Sequence, residues 1–327
     1  MSWEPRGDEA ALAVEQAMRD GEEHEVSEAA EQMESGFLIP APEPGVYRDV
    51  PEATYFAWDA ASSSTLKQMD RSPRFARLQM QSWDTKRTPF RDFGHAVHCA
   101  VLEPDQLEER YCARPVVLNE KTGKPWGPTA KAVTEAVERI EAEGLAILGT
   151  HQTLDIMETA RGIREEIRRC ESAALLLESL THHELSVVAL DPVTGVPMKA
   201  RLDGYAEDAR IIAELKTGAD TSPQEFSRAT TRYGYHNQAA LYCNVARWAG
   251  LEVDHHIILA CDSVAPFDAR TYVLEPAALE IADETNRRRL NTFAECWHAN
   301  HWPGPDGSQP LPLALQRWGY YAEEDTE

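Results

Sequence analysis

The apolar positions of the chain repeat at helical spacing through its first half and at strand spacing just beyond its middle. Ser62-Ser63-Ser64-Thr65 offers capping oxygens to a helix through Leu66 and Met69, which ends near Ser72-Pro73, where a second helix can begin. A further helix is predicted over 91–103, closed by Glu103-Pro104, and amphipathic helices over 129–143 and 152–180. Between them, 112–129 carries three prolines and two glycines and reads as an exposed loop. After Thr181 the period shortens to two. ELSVVAL (184–190), PMKARLDGYAE (197–207) and RIIAELKT (210–217), separated by DPVTG and a turn near Asp208-Ala209, read as three successive antiparallel strands. A helix over 223–249, a strand over 253–261, a further strand at 268–274 and a last helix over 276–299 complete the pattern. The expected fold class is α/β (α+β): a small central mixed sheet containing an antiparallel three-strand meander, flanked by helices.

The meander concentrates chemistry. A tight turn centred on Asp208-Ala209 pairs residues across it so that Asp203 stands opposite Glu214. Opposed Cβ atoms lie about 4.5–5.5 Å apart, and like charges there repel unless something positive intervenes. Alternation turns Arg201 and Asp203 toward one face with Glu214 and Lys216, while Leu202, Ala213 and Leu215 turn to the other. A few hard oxygen ligands suit Mg²⁺ or Mn²⁺, which keep waters and accept a phosphate oxygen. Such a cluster could hydrolyse a phosphodiester, with Lys216 beside the metal to orient water or offset developing charge. On spacing alone, a solvated hairpin carrying both signs of charge is the commoner outcome. Gln238 and Tyr242, four apart on the following helix, share a face that can lean over the hairpin end, and His98 lies on one helix face with His95 and Leu102. The pairs His182-His183 and His255-His256, and His298 with His301, lack a convergent cysteine set for zinc.

Composition adjusts this picture. The chain has 327 residues with 43% hydrophobic content and no apolar run of membrane-spanning length, which excludes a wholly disordered chain and a membrane span. Its six cysteines show no CxxC pair, and the first residues lack a secretory pattern, so a cytoplasmic location is expected. Against 32 Lys and Arg stand 55 Asp and Glu, a net charge of −23 that argues at first against a nucleic-acid partner. The imbalance is local. Residues 1–35 hold eleven acids against two arginines, and the tail from Ala322 adds four more. The expected organisation is an acidic arm over 1–36, a Pro/Gly-rich linker over 37–54, a single folded domain over 55–320 and an acidic tail over 321–327. Basic ground precedes the candidate residues: Arg74, Arg77, Lys86, Arg87 and Arg91 ahead of His98, Arg228 and Arg232 ahead of Gln238.

An ordered series, SSSTLKQMDRSP, GHAVHCAVLEP, TGVPMKARLD, AELKTGAD, YGYHNQAALY and HWPG, resembles the PD-(D/E)xK nuclease superfamily, specifically its RecB-like and RecE-like (exodeoxyribonuclease VIII) exonucleases related to the lambda-type phage exonucleases. The resemblance implies a restriction-endonuclease-like core. It implies that His98, Asp203 and Glu214, with the Leu215 carbonyl, bind Mg²⁺ or Mn²⁺, two ions in all. Asp203, Glu214 and Lys216 would be catalytic, with Gln238, Tyr242, Arg201 and Glu184 near the DNA or a second metal. It implies a 5′→3′ exonuclease acting on double-stranded DNA ends in recombination or repair, forming a trimeric or tetrameric ring and handing its 3′ strand to a RecT-like annealing protein. The cysteines that mark iron–sulfur relatives are missing, so no cluster is expected. Two other readings stay open: an endonuclease on the same core, as in phage defence, and a DNA-end-binding protein without catalysis.

Overall fold

The computed structural model describes residues 38–81, 89–113, 115–127, 129–142, 145–148 and 156–305. The acidic arm and tail lie outside the described residues, as do Lys86, Arg87 and the side chain of Arg91. The strands are β1 (Ile39–Pro40), β2 (Gly45–Tyr47), β3 (Trp58–Asp59), β4 (Tyr111–Ala113), β5 (Ala146–Leu148), β6 (His182–Leu190), β7 (Pro197–Ala206), β8 (Ile211–Gly218), β9 (His255–Asp262) and β10 (Ala269–Val273). The helices are α1 (Glu52–Ala57), α2 (Ser63–Gln68), α3 (Pro73–Gln81), α4 (Pro89–Leu102), α5 (Leu107–Arg110), α6 (Lys131–Ala142), α7 (Ile156–Arg169), α8 (Glu171–Ser179), α9 (Pro223–Tyr233), α10 (Tyr235–Trp248) and α11 (Pro276–Ala299).

The expected meander forms β6, β7 and β8 within a six-stranded sheet of order β10-β9-β8-β7-β6-β2. Within this sheet only β8 and β9 pair in parallel, because α9 and α10 form the long crossover that a parallel pair requires. The fold is the mixed α/β arrangement expected, with a core on each face. One core gathers Leu66 of α2, Leu202 and Tyr205 of β7, Leu241 of α10 and Phe293 of α11. The other gathers Val97 of α4, Ile163 and Ile167 of α7, Leu215 of β8 and Leu259 of β9. Local chemistry sets the helix starts: Ser62 Oγ accepts the Thr65 amide at 3.3 Å ahead of α2, and Ser72 Oγ accepts the Phe75 amide at 3.1 Å ahead of α3.

Four details differ from the pattern read along the chain. The helix expected over 223–249 is two, broken at Gly234, whose left-handed backbone (φ 76°, ψ 33°) ends α9 and opens α10. The helix expected over 152–180 is also two, separated by the extended Cys170, and residues 152–155 lie outside the described set. Within the stretch read as a linker, Gly45–Tyr47 pairs antiparallel with β6, Val46 opposite Val187, and Tyr47 meets Trp58 edge to face at 5.8 Å. Finally, Leu202 does not share a face with Ala213 and Leu215. It packs in the first core and they pack in the second. Glu184, which the β6–β7 register sets across from Asp203, holds a positive φ of 49°, and the pleat loses its alternation there.

Lys199 of β7 ties the first helix to this sheet. Its buried Nζ donates to the carbonyls of Tyr55 and Phe56 in α1 at 2.8 and 3.0 Å, and of Trp58 at 2.8 Å, closing the end of α1. Burial lowers the ammonium to about 7, against the opposing pull of Asp59. Three accepting carbonyls use all three of its donors. Lys199→Met should therefore leave three buried carbonyls unpaired and destabilise the protein by about 3 kcal/mol. Thermal unfolding followed by circular dichroism checks this; an unchanged Tm would show that water replaces the ammonium.

Candidate functional site

The β7–β8 ladder runs Ala206 opposite Ile211, Tyr205 opposite Ile212 and Gly204 opposite Ala213. This is the register the turn at Asp208-Ala209 dictates, and the paired ladder ends there, one step before Asp203 and Glu214. There the Leu215 amide donates to Asp203 Oδ2 at 2.8 Å, a side chain standing where a strand carbonyl would otherwise accept. On the other flank of β7, His183 opposite Gly204 and Leu185 opposite Leu202 bracket Glu184 against Asp203. Three acids, Glu184, Asp203 and Glu214, thus stand in a row across three neighbouring strands.

Helices complete the cluster from both sides. α4 brings His98, whose Nδ1 lies 3.6 Å from Asp203 Oδ2 and 3.9 Å from Glu184 Oε1. α10 brings Gln238, whose Nε2 donates to Glu214 Oε1 at 2.7 Å, and Tyr242, partly buried against the first core. Lys216 Nζ donates to the same Glu214 oxygen at 2.5 Å, and Arg201 Nε donates to Glu184 Oε2 at 2.7 Å. All of them except Lys216, which is hydrogen-bonded to Glu214, border an open cleft of about 1290 Å³. The structure therefore brings together every side chain the sequence singled out for the site. Leu215 enters it through its amide.

The electrostatics follow from crowding acids in a buried place. Burial first and Glu214 second raise the Asp203 carboxyl to about 7, although His98 and Lys216 pull the other way. Burial alone would lower His98, but Asp203 and a hydrogen bond to Glu184 outweigh it and raise the imidazole to about 9. Burial would raise Glu184, yet His98 and Arg201 hold it below its ordinary value. Lys216 is raised, since Glu214 and Asp203 prevail over its burial, so it is an ammonium at neutral pH.

A divalent cation fits this donor set. His98, Glu184 and Asp203 each present a ligand atom within 4.8 Å of the others, the single such cluster among the described residues. Glu214 Oε2 is buried with no hydrogen-bond partner, a polar atom aimed at nothing. A hard cation held by these oxygens and the imidazole would favour the ionised Asp203 that burial and Glu214 disfavour.

Residues 62–309, about three quarters of the chain, match the family described as "PDDEXK-like domain of unknown function (DUF3799)". The chain belongs to this PDDEXK-like family. No curated protein matches it. Among solved structures it is similar to a "Putative exonuclease" from Eubacterium rectale, at 15% identity and a TM-score of 0.48, with 81% of this chain and 94% of that one covered. In this PDDEXK-like chain Asp203 and Glu214-Leu215-Lys216, which have the residue types of a D…ExK motif, lie on the adjacent strands β7 and β8. PDDEXK-like nucleases cleave phosphodiesters with divalent metal ions, and the acid–histidine cluster is where this one would hold them.

The basic ground is only partly available to such a reaction. Arg77 pairs with Asp59 at 2.5 Å and stacks toward Trp302, and Arg228 pairs with Glu225 on its own helix. Arg232 stays exposed at the cleft. Sequence reasoning passed over Tyr235, whose ring centroid lies 5.1 Å from Lys216 Nζ; the Tyr-Gly-Tyr ahead of Gln238 was the available signal. His256, which the chain pattern offered only as half of a pair without a zinc-binding set, is buried. His256 sits opposite Ile212 of β8, is only 6% exposed, and has neither ring nitrogen hydrogen-bonded among the described residues. Burial lowers it to about 4, so it is neutral when folded. An unfolded histidine protonates near 6.5. Stability from His256 is thus complete above pH 6.5 and falls as pH drops toward 4, by about 3 kcal/mol over that window. Urea denaturation should show His256→Leu losing clearly less stability than the parent between pH 7 and pH 4; parallel losses would refute the assignment.

Proposed function

We propose that this chain is a Mg²⁺-dependent exodeoxyribonuclease that works 5′→3′ on double-stranded DNA ends and leaves 3′ single strands for recombination or repair. The observation that carries the reading is the grouping of Glu184, Asp203 and Glu214 on an open cleft, with His98 beside Asp203 and Lys216 hydrogen-bonded to Glu214. His98, Glu184, Asp203 and Glu214 hold the cations. Bound there, Mg²⁺ or Mn²⁺ would polarise the scissile phosphate and lower the pKa of a water. Lys216, kept charged by its acidic neighbours, offsets negative charge developing on the phosphate and orients the attacking water rather than taking its proton. Gln238 fixes the Glu214 carboxylate from above and Arg201 fixes Glu184 from the side. Tyr242 backs Gln238 from the next turn of α10. Preference for exonuclease over endonuclease rests on the ordered motif series of the RecE-like branch. The ring-shaped trimer or tetramer and a RecT-like partner belong to the same reading.

Linear and closed-circular duplex incubated with Mg²⁺ or Mn²⁺ test it. Nucleotides should be released from the linear form alone. Asp203→Ala and Lys216→Ala should each lower the rate about a hundredfold or more. Mn²⁺ titration calorimetry should show Asp203→Ala and Glu214→Ala weakening the metal, and Lys216→Ala keeping it while losing turnover. Cutting of the closed circle would replace the exonuclease with an endonuclease, and no cutting with any divalent metal would end the nuclease reading.

A further inference from the structure

The joint between α9 and α10 builds something that the metal cluster does not need. Gly234 turns the chain so that the residues on either side of it, Tyr233 and Tyr235, stack on each other, ring centroids 5.7 Å apart and planes 28° from parallel. The stack continues inward: Tyr235 lies 5.9 Å from Phe226, and Phe226 lies 4.8 Å from Tyr272 at 17°. The inner members are held. Phe226 is 5% exposed, and the Tyr272 hydroxyl donates to the Thr221 carbonyl at 2.6 Å. The outer member is open, with Tyr233 50% exposed at the cleft wall.

The joint is also braced from across the cleft. Lys67 Nζ of α2 donates to the Tyr233 carbonyl at 2.9 Å, the Gly234 amide donates to Thr230 O at 2.9 Å, and the Gln238 amide donates to Gly234 O at 3.1 Å. A Cβ at Gly234 would come within 3.3 Å of Asn237 Nδ2 and would face a positive φ. The exposed ring is therefore presented by a fixed backbone. Exposed Arg232 lies over that ring, guanidinium 5.5 Å from the centroid, a planar cation suited to a phosphate or to a base. On the inner side, Tyr235 takes Lys216 Nζ 5.1 Å from its centroid, so one ring joins the open end of the column to the catalytic ammonium.

An aromatic column anchored on the buried Phe226, open at the Tyr233 end and flanked by cations suits a flat, anionic, aromatic ligand. We propose that Tyr233 is the stacking platform for the nucleobase next to the phosphate being cut, with Arg232 on that nucleotide's backbone. This deepens the proposed function and rests on it: it specifies a substrate end whose terminal base has left its duplex partner. Because every base has a π-face, the platform reads unpaired aromatic character rather than sequence.

The test uses the full chain and two readouts. In the first, steady-state release from linear duplex is measured for Tyr233→Ala, Tyr233→Phe and Tyr233→Trp, on ends with a normal or an abasic terminal nucleotide in the strand being degraded. Tyr233→Ala should raise KM roughly tenfold, within the range of base–aromatic stacking, while the Phe and Trp variants stay within about twofold of the parent. An abasic end should impose the same loss on the parent and little more on Tyr233→Ala. In the second, Lys216→Ala protein binds a short fluorescent single-stranded oligonucleotide, followed by anisotropy, with and without Tyr233→Ala added. The added substitution should weaken binding by a similar factor. Unchanged KM and anisotropy for Tyr233→Ala, an equal loss in Tyr233→Phe, or fully multiplying losses with the abasic end would each overturn the platform. If no DNA is cut, the nuclease reading fails while the anisotropy still decides whether Tyr233 stacks a base.

Discussion

The hydrogen bond from the Leu215 amide to the Asp203 carboxylate organises the site. Between antiparallel strands such an amide ordinarily meets a backbone carbonyl. Here a carboxylate takes that role, so an acid is fixed inside the sheet at the point where β7 and β8 cease to pair backbone to backbone. Everything nearby answers to that charge. Glu214 acts on it from β8, Glu184 flanks it from β6, and Lys216, Arg201 and His98 surround the three acids with positive or protonatable groups. The result is a cluster folded into the protein core in which one buried oxygen, Glu214 Oε2, finds no hydrogen-bond donor among the described residues.

Much of this could be read along the chain because it depends on short-range geometry. The turn at Asp208-Ala209 fixes the register, period-two alternation fixes Glu214 and Lys216 on one face, and i, i+4 spacing fixes Gln238 with Tyr242. The central place of Glu184 was legible by the same arithmetic, since the DPVTG turn pairs Leu190 with Pro197 and, counted back, Glu184 with Asp203. That turn is firm: buried Asp191 accepts the Thr194 amide and hydroxyl and both Arg287 amino groups. Other features depend on contacts distant in sequence. Nothing local tells that Arg77 is claimed by Asp59, that a three-residue run at Gly45 completes the sheet edge, or that Leu202 and Leu215 serve different cores.

Charge, too, turns out to be a matter of place. The net −23 describes the whole chain, whereas the cleft sets its acids deep and exposes Arg71, Arg232 and their neighbours around them. A polyanion approaching the opening meets the exposed cations before it meets the carboxylates.

Lys199 lies on the same strand as Asp203, four residues before it, and its ammonium grips the end of α1, whose Tyr55 and Phe56 border the cleft. Strand and helix are thereby tied together, so a displacement of this wall is passed directly to the strand that carries the central acid.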